Sequence, residues 1–112
     1  MFDIEASDSE GVRRIVLVGE FDLAAMPTAE TSLAEATANG YTSLEIDLSA
    51  LTFLDSSGVR SLMITVDRCR ERGTPLTIIP GPRGVQRVFE ITGLVDALPF
   101  STPSDEADDG RT

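Results

Sequence analysis

The chain has no histidine, no lysine and no tryptophan, and only one cysteine among its 112 residues. Without histidine there is no imidazole to ligate a metal or act as general base near neutral pH, and no Ser-His-Asp site. The lone Cys69 rules out an internal disulfide and a thiolate metal cluster. It falls on the apolar face of an expected helix, where a reduced, buried thiol is the plain reading. All nine basic residues are arginine, against nineteen acids, for a net charge of −10. Nucleic acid and anionic membrane surfaces are poor partners for such a balance. No apolar run approaches the roughly 20 residues that span a bilayer. The acidic start, Met1 to Glu5, lacks a cationic signal region, which points to the cytosol. Walker-type, Gly-x-Gly-x-x-Gly and Gly-x-Ser-x-Gly motifs are missing too. These absences together argue against an enzyme and against any cofactor.

The length suits one domain with one core. With only five Phe and one Tyr, packing must rely on Val, Leu, Ile and Ala. Phe2, Ile4 and Ala6 alternate with acids, as on a half-buried edge strand. A turn over Ser7–Gly11 leads to a β-rich run, Val12 to Val18, which Gly19-Glu20-Phe21-Asp22 is expected to end. The two strands form a hairpin. Pro27 opens a helix carrying Met26, Ala29, Leu33 and Ala36 at helical spacing, with Gly40 at its end. Ser43 to Leu48 is the next strand. Val59, Leu62, Met63, Val66 and Cys69 then mark a clear amphipathic helix, closed by Gly73 and Pro75. Leu76 to Ile79 is a short buried strand, and Pro82 opens a third helix with Val85, Val88 and Phe89 inward. Leu94 to Leu98 is expected as a last strand. The order β-β-α-β-α-β-α-β predicts a small mixed α/β sheet with helices packed on one face. The domain is expected over residues 1–100. Residues 101–112 form an acidic tail without an apolar face, a disordered segment or short helical stub.

The most informative run is Ile46 to Gly58. An apolar strand stops at Asp55, Ser56 and Ser57, and the clearest helix begins behind them. All three are good N-cap residues, and capping alone is one sufficient reading. The other reading is modification. A phosphate on Ser57 adds about −1.5 to −2 charge. The helix N-terminus favours that charge by roughly 0.3–1 kcal/mol, so the fold survives. Asp55 opposes it by up to ~3 kcal/mol per unit charge at about 5 Å and ε near 20, before solvent screening. At about 100° per residue, Ser57, Ser61, Ile64 and Arg68 share one ridge, expected to face outward and to dock a partner. Elsewhere, Gly81-Pro82-Arg83-Gly84 reads as a turn into a helix. The acidic tail lacks the spaced ligands of a calcium loop.

Three stretches resemble the STAS domain, specifically the bacterial anti-sigma-factor antagonists: Gly19-Glu20-Phe21-Asp22, Asp47-Leu48-Ser49 through Phe53-Leu54-Asp55-Ser56-Ser57-Gly58, and Val85 to Leu94. The likeness implies a protein that, unphosphorylated, binds an anti-sigma factor of the serine-kinase type and frees a sigma factor. Phosphorylation ends the interaction and a serine phosphatase restores it. The resemblance makes Ser57 the phosphoacceptor. Asp55 and Ser56 flank it, Asp22 lies near the same site, and Gly58 lets the backbone turn. Family members usually end in a fourth amphipathic helix, which the polar tail does not supply. Two other readings are a constitutive scaffold in a signalling or lipid-transport complex, docking without phosphate control, and a small enzyme or nucleotide binder, which the missing motifs disfavour.

Overall fold

The computed structural model describes residues 1–101. The acidic tail and the question of a fourth helix lie outside the described residues. Five strands and three helices follow one another as β1 (Phe2–Ser9), β2 (Val12–Phe21), α1 (Met26–Ala38), β3 (Ser43–Asp47), β4 (Leu51–Leu54), α2 (Ser56–Arg72), β5 (Leu76–Ile79) and α3 (Arg83–Thr92), with single 3₁₀ turns at Leu23–Ala25 and Val95–Ala97. The sheet order is β1-β2-β3-β5, with β4 also beside β2. β1 pairs antiparallel with β2, and every other pairing is parallel.

The pleat explains the core. Ile15, Ile46 and Ile78 stand in one register row across β2, β3 and β5, and all three are buried. Leu17 and Leu44 lie two residues away on the same face and are buried with them. The crossovers β2–α1–β3 and β3–α2–β5 step in the same direction along the sheet. Right-handed connections therefore put both helices over this face. Ala29, Leu33 and Ala36 of α1, Leu62, Val66 and Cys69 of α2, and Val85 and Phe89 of α3 join one continuous core. On the alternate positions, Arg14 pairs with Glu45 and, at 2.7 Å, with Asp47.

Three expectations need correction. β2 does not end at Gly19; it continues to Phe21 through a bulge between Gly19 and Glu20. Gly19 has φ 93, and a Cβ there would stand 1.9 Å from the Met1 carbonyl oxygen, so glycine is required on both counts. The segment after Asp47 is not a direct run into the helix. The chain bends at Ser49–Ala50, and β4 then pairs with the last residues of β2. Its four residues show no period-2 alternation, only buried Leu51 and Leu54 around exposed Thr52 and Phe53. Leu94 to Leu98 is not a strand: it holds the 3₁₀ turn, and the sheet contact comes later, where Phe100 bridges Ile78. Among the described residues no helix is long and apolar enough to cross a membrane.

Candidate functional site

The site forms where β2 and β4 end side by side. Phe21 and Leu54 are register partners with buried side chains, so the residues that follow, Asp22 and Asp55, leave the sheet together. The Asp55 N–H donates to the Phe21 carbonyl at 3.3 Å, which ties the two exits. Both aspartates adopt nearly the same extended backbone, φ −117 and −114 with ψ −173, and both cap a helical turn. Asp22 accepts from the Ala25 N–H at 3.2 Å. Asp55 accepts from the N–H groups of Ser57 at 2.9 Å and Gly58 at 3.3 Å. Of the three candidate caps, then, Asp55 is the one used, because its carboxylate reaches two of the free donors of the first turn.

This frees both serines. Ser56 is exposed and Ser57 half-buried. Neither hydroxyl makes a hydrogen bond to the described residues, and neither is a sealed, unsatisfied atom. Ser57 sits in the first turn of α2, at the positive end of a 17-residue helix. Gly58 lies inside the helix, so the expected tight turn is not its reason. A Cβ there would meet Leu54 Cδ1 at 2.4 Å, Phe21 Cγ at 3.0 Å and the Phe21 carbonyl oxygen at 3.1 Å. Glycine at this position lets α2 start directly against the ends of β2 and β4.

The ridge drawn through Ser57, Ser61, Ile64 and Arg68 does not face solvent throughout. Arg68 is exposed and Ile64 half-buried, but Ser61 is buried at 3% exposure and Thr65 at 1%. The Ser61 hydroxyl donates to Met26 Sδ of α1 at 3.1 Å, and Thr65 donates to the Ser61 carbonyl at 2.9 Å. α1 packs on this flank, so the buried arc of α2 is wider than its apolar residues and is turned towards the hydroxyls. Small polar residues there let the helices approach. Ser61, Ile64 and Arg68 line one wall of a shallow groove of about 370 Å³, with Glu30, Thr31 and Ala34 of α1 opposite.

Sequence reasoning missed two apolar side chains near the strand ends. Leu23, directly after Asp22, is 70% exposed, and Phe53, paired in register with Glu20, is 48% exposed. The signal was available for Leu23, an apolar residue just after a cap. Phe53 carries no such signal, because the four residues of β4 lack the alternation that marks a strand.

The mixed sheet thus bears two carboxylate-capped helix starts where β2 and β4 end, with two serines in the first turn of α2 that make no hydrogen bond to the described residues. The STAS domain model matches residues 3–107, and the chain belongs to that family. It is 25% identical over 96 residues to an anti-sigma-B factor antagonist of Staphylococcus aureus, covering 86% of this chain and 89% of the relative. The crystal structure of an anti-sigma factor antagonist from Mycobacterium paratuberculosis superposes with a TM-score of 0.84 at 26% identity, over 100% of this chain and 96% of that one. The phosphorylated form of SpoIIAA, a Bacillus cell fate determinant, superposes with a TM-score of 0.68 at 22% identity, over 99% of this chain and 100% of that one. That last likeness is one of fold. By homology and fold the chain stands among the anti-sigma factor antagonists.

Proposed function

We propose that the unphosphorylated protein binds an anti-sigma factor of the serine-kinase type in the cytosol and that phosphorylation of Ser57 ends the binding. The observation that carries this reading is the Ser57 hydroxyl, half-buried in the first turn of α2 and free of any hydrogen bond to the described residues. The cap role belongs to Asp55, so modification does not remove the cap. In the transfer, Ser57 Oγ bonds to the γ-phosphorus of ATP, the β–γ bridging bond breaks, ADP leaves, and the serine proton passes to base or water. A serine phosphatase returns the hydroxyl by hydrolysis. The chain itself serves as substrate and ligand, not as catalyst.

The docking surface runs from Ser57 along the outer side of α2 to Ile64 and Arg68, with Ser61 beneath it as part of the groove wall. Ser56, Asp55, Asp22 and Gly58 shape the acceptor end. A phosphate on Ser57 adds bulk and negative charge beside Asp55. A loss of about 3 kcal/mol corresponds to about a hundredfold in affinity.

Incubation with the cognate kinase and ATP, followed by mass spectrometry, is expected to place one phosphate on Ser57, with Ser57→Ala accepting none. Equal incorporation by Ser57→Ala would overturn the assignment. Ser57→Asp is expected to fold normally and to bind the anti-sigma factor about a hundredfold more weakly by calorimetry. Unchanged affinity would remove the electrostatic account.

A further inference from the structure

The placement of one arginine points to how the phosphate is held once attached. Arg60 lies three residues after Ser57 in α2, the spacing at which helical side chains are neighbours. It is exposed, and among the described residues it has no ion-pair partner. Three acids lie around the strand ends. Asp55 is the cap, Asp22 leaves the adjacent strand, and Glu20 is held at 2.9 Å by the Met1 ammonium. No arginine lies closer to Ser57 in the sequence, and because side chains on a helix lean towards its N-terminus, one of this length can span the turn back to position 57.

We propose that Arg60 is the intramolecular partner of phosphorylated Ser57: its guanidinium pairs with the phosphate across one helical turn and offsets the repulsion from Asp55. The proposal rests on the reading of Ser57 as the phosphoacceptor and adds a residue to it. In the unmodified protein Arg60 extends into solvent and is open to a docking partner. After transfer it folds over the phosphate. Phosphorylation thus changes two features of the surface together, adding an anion at Ser57 and withdrawing a cation at Arg60. Guanidinium suits the task because its fork of donors fits phosphate oxygens in a way a point charge does not.

The experiment installs phosphoserine at position 57 by translational incorporation, so it does not depend on any kinase. The phosphorus NMR signal is then titrated with pH in the otherwise unaltered protein and in Arg60→Gln and Arg60→Lys variants. Pairing favours the dianion. The second phosphate ionisation is therefore expected at lower pH in the unaltered protein than in Arg60→Gln, by about 0.3 of a unit for an exposed helical pair. Arg60→Lys is expected to fall between them. High salt should shrink the difference. Identical titrations in all three proteins would overturn the proposal and leave the Ser57 assignment untouched. A Ser57 that no kinase modifies would instead defeat the functional reading while the titration still reports on the pair. Arg60 is exposed, so the variants are expected to fold.

Discussion

At the residue scale, Gly58 shows how tightly the site is built on the core. Its missing side chain is the space into which Phe21 and Leu54 fit. Alanine would gain up to about 1 kcal/mol in helix propensity. It would also force backbone or ring atoms apart, at a typical cost of about 1–3 kcal/mol. We expect Gly58→Ala to lower stability by a net ~1–2 kcal/mol in urea unfolding. A neutral or stabilising result would show that α2 can lift off the strand ends. The sequence displays Asp55-Ser56-Ser57-Gly58 as a chemically pointed cluster, and the structure puts Asp55 at the cap of α2 with both serines in its first turn. What the sequence could not display was the division of labour. Three adjacent residues can all cap a helix, and only the exit direction of β4 decides that Asp55 does.

At the scale of elements, the hairpin, the three helices and strands β3 and β5 were legible because each carries a period or punctuation of its own. β4 was not, because four residues with buried ends and an exposed middle match neither period. The full buried arc of α2 is not legible for a related reason. A helical wheel finds the face that apolar residues mark, and the flank of α2 against α1 is marked instead by Ser61 and Thr65, whose hydroxyls donate to Met26 of α1 and to the Ser61 carbonyl one turn back. The test is size. Ser61→Ala removes only a hydroxyl bonded to sulfur and is expected to change stability by less than about 1 kcal/mol. Ser61→Leu would have to push α1 away and is expected to cost about 1–3 kcal/mol. Equal stability of the two variants in thermal unfolding would mean that the helices are not in close contact there.

At the scale of the whole molecule, a single core takes in strands and helices alike, so the domain should unfold as one unit. Cys69 offers a probe of this. Its thiol is buried in that core, and burial raises its ionisation above the ordinary value of 9.0. In the unfolded chain the thiol ionises near its ordinary value. Below that pH neither state loses a proton and the thiol costs nothing. As pH rises past it, the unfolded state gains by ionising and folding stability falls. We expect unfolding free energy to decline above about pH 9, with the Cys69-dependent part of the decline missing in Cys69→Val. Thiol labelling at neutral pH should proceed no faster than global unfolding allows. Rapid labelling of the native protein would show a local opening beside α2.

The Arg14–Glu45–Asp47 cluster has a bearing on all three scales. Asp47 takes the Arg14 guanidinium on one oxygen and the Ser49 N–H, at 2.8 Å, on the other. It therefore fixes the bend from which β4 departs, and β4 in turn aims Asp55 and α2. The start of α2, and Ser57 with it, is steered by an anchor on the reverse of the sheet. Exchanging that anchor would therefore re-aim the helix start while leaving both its own side chains and the hydrophobic interior as they are.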